Sequence, residues 1–281
     1  MTALLLLFCA IGLLPLATGL TVTRATWRGF AGFPLAAWVL SCALAFNLTF
    51  FWQELWLVIA KALVPGLHPV LFHNNHEWIG SAPIAELLQG TGAIATLASG
   101  LAFAVLLGKA RTTSATWQIF CFWMAFEGLY QSLTQLAVGT ILPRNDVGRA
   151  LAYLGIGEAG NWVLLTLCVG AMGWTGWTLA RLLPIRTANR GGLALPLLAV
   201  ALLSILVIVP FRLPRNPVEV VLIPVIVNLI GTGWLTIGLA VARTAASHAV
   251  EEERPNATWT ALGLLVVLLF FQIVLRPGLH F

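Results

Sequence analysis

The chain has 281 residues, of which 59% are hydrophobic and only 9% are charged. Soluble domains carry about 25% charged and about 45–50% apolar residues, so this composition excludes a soluble globular protein. It also excludes a disordered chain, because disordered segments are polar and poor in aromatic residues. We therefore predict a single integral membrane domain over residues 1–281.

Eight stretches are apolar and long enough to cross a bilayer as helices, which takes about 20 residues each. The predicted spans are Thr2–Leu20, Phe33–Leu63, Ile84–Leu107, Thr116–Leu142, Gly160–Leu183, Leu193–Phe211, Val218–Ala245 and Trp259–Leu275. A β-barrel is not expected, because its strands alternate apolar and polar residues. The predicted fold class is all-α, a polytopic transmembrane helical bundle of about eight spans.

The basic residues between the spans predict an orientation. One side holds nine of them: Arg24, Arg28, Lys109, Arg111, Arg181, Arg186, Arg190, Arg243 and Arg254. The other side holds six: Lys61, Arg144, Arg149, Arg212, Arg215 and Arg276. The positive-inside rule places the nine in the cytoplasm and both termini outside, and we predict a bacterial inner (plasma) membrane. No basic patch suggests a nucleic-acid partner, so the expected partners are membrane lipid and a small solute.

Polar side chains interrupt the second to fifth predicted spans. A charged side chain at the centre of a membrane helix costs about 2.5–3.5 kcal/mol on insertion scales, so it faces a cavity, a protein interior or a partner. Glu127, Gln131 and Gln135 stand at i, i+4 and i+8, which places them on one helix face. The alternative interpretation of this stripe is a hydrogen-bond seam between helices, which is common in membrane proteins.

The direction of these spans brings their polar groups toward one membrane surface. Spans two and four run outward and spans three and five run inward, so their polar ends meet at the outer face. We predict an outer-face pocket lined by seven side chains: Glu54, Glu86, Glu127, Gln131, Gln135, Glu158 and Asn161. Buried carboxylates of this kind are suited to proton exchange.

Two loops on the same side supply a predicted roof of His73, His76 and Asp146. His73 and His76 are spaced i, i+3, so a helical turn would place both imidazoles on one face. Imidazole and carboxylate are usual zinc ligands, which makes a divalent metal such as zinc the candidate cofactor. The alternative is that these histidines are solvated and form turn hydrogen bonds within the loop.

Three functions from different classes follow from these residues. The favoured one is binding or proton-coupled transport of a small solute through the carboxylate pocket. The second is a metal-dependent intramembrane enzyme of the hydrolase or metalloprotease kind, although its usual His-Glu-x-x-His motif is absent from the sequence. The third is an accessory subunit of a membrane complex, whose polar residues would be paired with each other. No catalytic residue is identified, and the protein partner of the third class is unknown.

Overall fold

Long apolar helices form almost the entire structure, a computed structural model that describes residues 2–110, 113–185, 190–212, 218–242 and 255–281. In chain order, the helices are α1 (Thr2–Phe8), α2 (Leu14–Val22), α3 (Leu35–Ala62), α4 (Ile84–Leu88), α5 (Thr91–Lys109), α6 (Ala115–Gly139), α7 (Asp146–Tyr153), α8 (Glu158–Leu182), α9 (Ala194–Arg212), α10 (Ile223–Val241) and α11 (Ala257–Phe270). Three π-helical segments, Cys9–Leu13, Val218–Leu222 and Phe271–Leu275, extend or join them.

Seven of these helical stretches are long and apolar enough to cross a membrane: Leu4–Val22, Leu35–Ala62, Ile84–Lys109, Glu158–Leu182, Arg190–Arg212, Val220–Val241 and Ala257–Leu275. They coincide with seven of the eight predicted spans, which confirms the predicted helical membrane bundle. The remaining predicted span, Thr116–Leu142, corresponds to α6, a 25-residue helix. Its glutamate and glutamines lower its hydropathy.

The position of α6 explains how a polar helix is accommodated. It packs against α3, α5, α8 and α10, and most of its side chains are buried. An aromatic column of Trp123, Phe126 and Tyr130 lies along it, with neighbouring ring centroids 5.0 Å apart. Because protein surrounds this helix, its polar groups face other helices and avoid the cost of contact with lipid.

A small antiparallel sheet covers one end of the bundle, where the sequence predicted only a loop. Strand β1 (His68–Leu71) lies between β2 (His76–Ile79) and β3 (Leu279–His280). The segment between β1 and β2 contains two asparagines, which favour turns, and the amide of Phe72 donates to the carbonyl of Asn75. His73 and His76 therefore belong to a β-hairpin, and they do not form the helical turn that would place both imidazoles on one face.

The pairing of β1 with β3 also determines whether the chain crosses the membrane an even or an odd number of times between these two strands. Val70 of β1 pairs with His280 of β3, so residues 70 and 280 lie at the same end of the bundle. The long helices described between them are α5, α6, α8, α9, α10 and α11. An even number of crossings returns the chain to its starting face, and this number is even only if α6 crosses as well. We call the membrane surface that carries the three strands the sheet face.

The outside assignment of the termini and the bacterial inner membrane remain predictions. Several arginines that carry the charge asymmetry lie outside the described residues: Arg111, Arg186, Arg215, Arg243 and Arg254. The last residues of the predicted span Val218–Ala245, after position 242, also lie outside them.

Candidate functional site

The end of α3 nearest the sheet face carries two ionisable side chains on one helix surface. Glu54 and Lys61 are separated by seven residues, which is two helical turns, so both project in the same direction. Glu54 is 4% exposed and Lys61 is fully buried. A buried lysine is rare in proteins unless it is paired, so its partners define the site.

His76, the first residue of β2, joins these two side chains. Its Nδ1 lies 2.7 Å from Oε2 of Glu54, and its Nε2 lies 3.4 Å from Nζ of Lys61. The same Nε2 is 3.1 Å from Oε1 of Gln89. Both ring nitrogens of His76 are therefore engaged by protein side chains.

Amide groups complete the hydrogen bonding around this core. Lys61 donates to Oε1 of Gln89 at 3.0 Å and to the carbonyl of Leu57 at 3.2 Å. Gln53 donates to Oε1 of Glu54, and Gln135 from α6 donates to Oε1 of Gln53. We call these six side chains the polar cluster: Gln53, Glu54, Lys61, His76, Gln89 and Gln135. Hydrogen bonds of the polar cluster connect α3, α6, β2 and the short segment between α4 and α5 that contains Gln89.

Trp78 and an ion pair lie beside the polar cluster toward the sheet face. Nζ of Lys61 is 4.7 Å from the centre of the Trp78 ring, and the guanidinium carbon of Arg149 is 5.1 Å from the centre of the same ring. Arg149 also donates two hydrogen bonds to the carboxylate of Glu86, which joins α7 to α4. These bonds raise the pKa of Arg149 and keep it cationic.

Asp146, at the start of α7, contributes a further carboxylate near the polar cluster. Burial raises the pKa of Asp146, and the negative charge of Glu54 raises it further. Electrostatic interactions with His76, Lys61 and Arg149 oppose that shift of the pKa of Asp146. Asp146 is thus electrostatically coupled to the cluster, although 85 residues separate it from Lys61 in the sequence.

Glu127 and Gln131 form a separate pair deeper along α6. Gln131 donates to Oε2 of Glu127 at 3.2 Å, and the thiol of Cys42 lies 3.7 Å from the other carboxylate oxygen and 3.3 Å from Ser204. Glu127 is fully buried, and Oε1 of Gln131 is buried without a hydrogen-bond partner among the described residues. The bonds of this pair do not extend to Gln135 within the described chain.

Glu158 and Asn161, at the start of α8, lie at a third location. Together with Trp162, they line a cavity of about 300 Å³ where α6 ends and α8 begins. Glu158 is exposed, and its carboxylate accepts a hydrogen bond from Nε1 of Trp162. The seven predicted pocket residues therefore divide among four places: Glu54 and Gln135 in the polar cluster, Glu86 in the ion pair beside it, Glu127 with Gln131, and Glu158 with Asn161.

The predicted metal site has no matching arrangement in the structure. Within the described ranges, no three His, Cys, Asp or Glu side chains are grouped so that they could hold a metal ion. His76 has both nitrogens occupied by other side chains, and His73 lies in the turn between β1 and β2. The two imidazoles do not form a metal site because residues three apart share a face in a helix but not in a β-hairpin.

The predicted pocket did not include several members of the polar cluster. Lys61 was counted with the loop cations because it stands near the end of a span, and Gln53 and Gln89 were not placed in the pocket. A usable signal was present for Lys61, since its spacing of seven from Glu54 places both on one helix face. His76 was predicted in the roof of the pocket, but as a metal ligand, and its direct contact with Glu54 depends on the sheet.

Comparisons with known proteins give no further identification. No protein-family model matches the chain, no curated protein matches it, and no solved structure matches it.

Proposed function

We propose that this membrane protein couples proton exchange at the polar cluster to the movement of a small solute. One observation carries the proposal: Glu54, His76 and Lys61 form a buried, hydrogen-bonded row of three ionisable side chains. Ionisable residues inside membrane proteins are costly to bury and commonly mark proton relays and substrate paths.

The energetic argument favours proton exchange over a purely structural seam. Uncharged polar contacts between membrane helices stabilise the bundle by about 0.6–2 kcal/mol each, without the desolvation of a charge. Burying a charged pair costs several kcal/mol per ion, which the mutual attraction often only offsets. A lysine and a glutamate linked by an imidazole therefore add little to the stability of a contact between helices, whereas they are suited to proton transfer.

The geometry of His76 permits two arrangements of protons. In the first, the neutral ring accepts a hydrogen bond from Lys61 at Nε2 and donates from Nδ1 to Glu54. In the second, the protonated ring donates from Nε2 to Gln89 and from Nδ1 to Glu54. Transfer of a proton from Lys61 to Nε2, with release of the Nδ1 proton to Glu54, moves one proton across the cluster and leaves Lys61 and Glu54 neutral.

Asp146 supplies a proton acceptor between this row and the aqueous phase. It is partly exposed, and its raised pKa brings proton exchange by its carboxyl group nearer to neutral pH. We expect protons to enter or leave the polar cluster on the side where α7 lies.

Proton flux into liposomes tests the proposal, with small solutes of different classes (amino acids, sugars, amines, carboxylates and inorganic ions) supplied outside one class at a time. The purified chain is reconstituted with a pH-sensitive dye inside, and a potassium diffusion potential drives protons inward. We expect the unmodified protein to acidify the lumen, and Glu54→Gln and His76→Gln to lower the initial rate at least about tenfold, since positioned proton-transfer groups contribute about 10²–10⁴-fold.

Glu77→Gln is the matched control, because it makes the same chemical change at an exposed carboxylate next to His76. It should retain the rate of the unmodified protein. Liposomes with the unmodified protein that acidify no faster than empty liposomes, or a Glu54→Gln variant that conducts normally, would refute the proposal.

An accessory subunit is the second candidate, and one specific observation favours it. The six side chains of the polar cluster bond to each other, as expected for groups that only hold helices together. If this is their role, Glu54→Gln lowers the stability of the protein in detergent and no protein-dependent proton flux is detected.

A further inference from the structure

A cavity between α6 and α8 is lined by a carboxylate, polar side chains and apolar side chains. Its volume of about 300 Å³ suits a small polar group, and its walls are Thr140, Ile141, Glu158, Asn161, Trp162 and Leu165. It lies apart from the polar cluster, so an inference about it is independent of the proposed function.

Glu158 and Thr140 supply the hydrogen-bond acceptors of this lining. Glu158 offers a carboxylate, and one of its oxygens, Oε1, already accepts the indole N–H of Trp162 at 3.4 Å. Oδ1 of Asn161 has no hydrogen-bond partner in the described chain, but it is buried, so a ligand reaches it only if the side chain turns toward the cavity. The hydroxyl of Thr140 donates to the carbonyl of Ala137 at 2.7 Å, which leaves its lone pairs free to accept. None of the six lining side chains is basic, so the lining presents negative charge and acceptors without a compensating cation.

The remaining walls fit a cation that is attached to an apolar molecule. Trp162 is 60% exposed, and an indole face attracts ammonium groups. Ile141 and Leu165 supply apolar surface beside it. The cavity lies where α6 ends and α8 begins, which is the depth at which tryptophans meet lipid headgroups.

We propose that this cavity binds a primary ammonium group, and that its occupant is the headgroup of an aminophospholipid. The ammonium group would donate to the Glu158 carboxylate and to Oγ of Thr140, and it would lie against the ring of Trp162. The acyl chains then continue along the apolar side of α8. A free amine shares this chemistry, and the experiment distinguishes the two sources.

The test measures binding of a fluorescent phosphatidylethanolamine to the purified chain in nanodiscs of phosphatidylcholine, by energy transfer from tryptophan. We expect saturable binding in the unmodified protein. Glu158→Gln and Trp162→Leu should each raise the half-saturating mole fraction about tenfold, because a charge-assisted hydrogen bond or a ring contact is lost. Unlabelled phosphatidylethanolamine should compete, whereas phosphatidylglycerol, which has no ammonium group, should not.

Two control variants make the result specific. Trp174→Leu removes a second exposed tryptophan of α8 that does not line the cavity, and Glu77→Gln removes an exposed carboxylate of the sheet. Both should bind as the unmodified protein does, after correction for the lost donor in Trp174→Leu.

The outcomes separate the two sources of the ammonium group. Competition by free ethanolamine at millimolar concentration, with no preference for the lipid, would support the ammonium site and overturn the lipid as its occupant. Equal competition by phosphatidylglycerol, or equal loss in the control variants, would overturn the site itself. The competition arms use the unmodified protein, so they decide the question even if a variant fails to fold.

Discussion

At the scale of single residues, Lys61 is the buried cation of the polar cluster. It contacts His76, Gln89, the carbonyl of Leu57 and the ring of Trp78, and it is fully buried. Its positive charge also offsets the negative charges of Glu54 and Asp146. Removal of this cation would leave Glu54 and Asp146 with less positive charge near them.

We expect Lys61→Met to destabilise the protein by about 1–3 kcal/mol, because Oε1 of Gln89 and the carbonyl of Leu57 each lose a charged hydrogen-bond donor in a buried place. Reversible unfolding in mixed detergent measures this difference. Lys109→Met is the control, because Lys109 is exposed at the end of α5. A loss below 1 kcal/mol in Lys61→Met, about that of a surface pair, would show that the charge is not needed to hold the cluster.

At the scale of helices, close contact between α5 and α6 brings the polar stripe of α6 into place. Gly100 of α5 and Gly128 of α6 face each other, and a Cβ on Gly128 would lie 2.7 Å from the Cα of Gly100. Membrane helices approach this closely where glycines remove side chains from the interface. Ser132, one turn further along α6, donates to the carbonyl of Ala93 at 2.7 Å and holds the same contact.

A methyl group at this crossing should therefore separate the two helices. We expect Gly100→Ala to lower the free energy of unfolding by about 1–3 kcal/mol, as overpacking usually does. Gly108→Ala lies on the same helix, where a Cβ would meet no atom within 4 Å, and it should be neutral or stabilising. Equal effects at the two positions would mean that helix propensity, and not the contact, determines the change.

At the scale of the whole molecule, the sheet joins two distant parts of the chain at one membrane face. Strand β1 follows α3, and β3 follows α11, yet Val70 and Leu71 pair with His280 and Leu279. This pairing requires an even number of crossings and so assigns α6 to the membrane. The hydropathy of α6 alone does not make that assignment.

Labelling of introduced cysteines with a membrane-impermeant maleimide checks this topology. Glu77→Cys and Phe281→Cys should react from the same side of sealed vesicles, because both residues belong to the sheet region. Thr113→Cys, between α5 and α6, should react only from the other side. The natural Cys42, Cys121 and Cys168 are buried and should contribute little signal, and Cys9, which is partly exposed, is first replaced by serine. Reaction of Thr113→Cys from the same side as Phe281→Cys would contradict the crossing of α6.

The sequence by itself determined that this chain forms a bundle of membrane helices, because a run of about 20 apolar residues has few other stable environments. It also predicted that Glu54 and Gln135 face other parts of the protein, since polar groups in such runs are costly to expose to lipid. Only the tertiary structure decided which polar groups meet. Strands of four residues give little periodic signal, so the sheet that brings His76 to Glu54 and Lys61 was not predicted. The angular position of each helix is set by packing, such as the contact of Gly100 with Gly128, and that packing separates Glu158 and Asn161 from the other predicted residues.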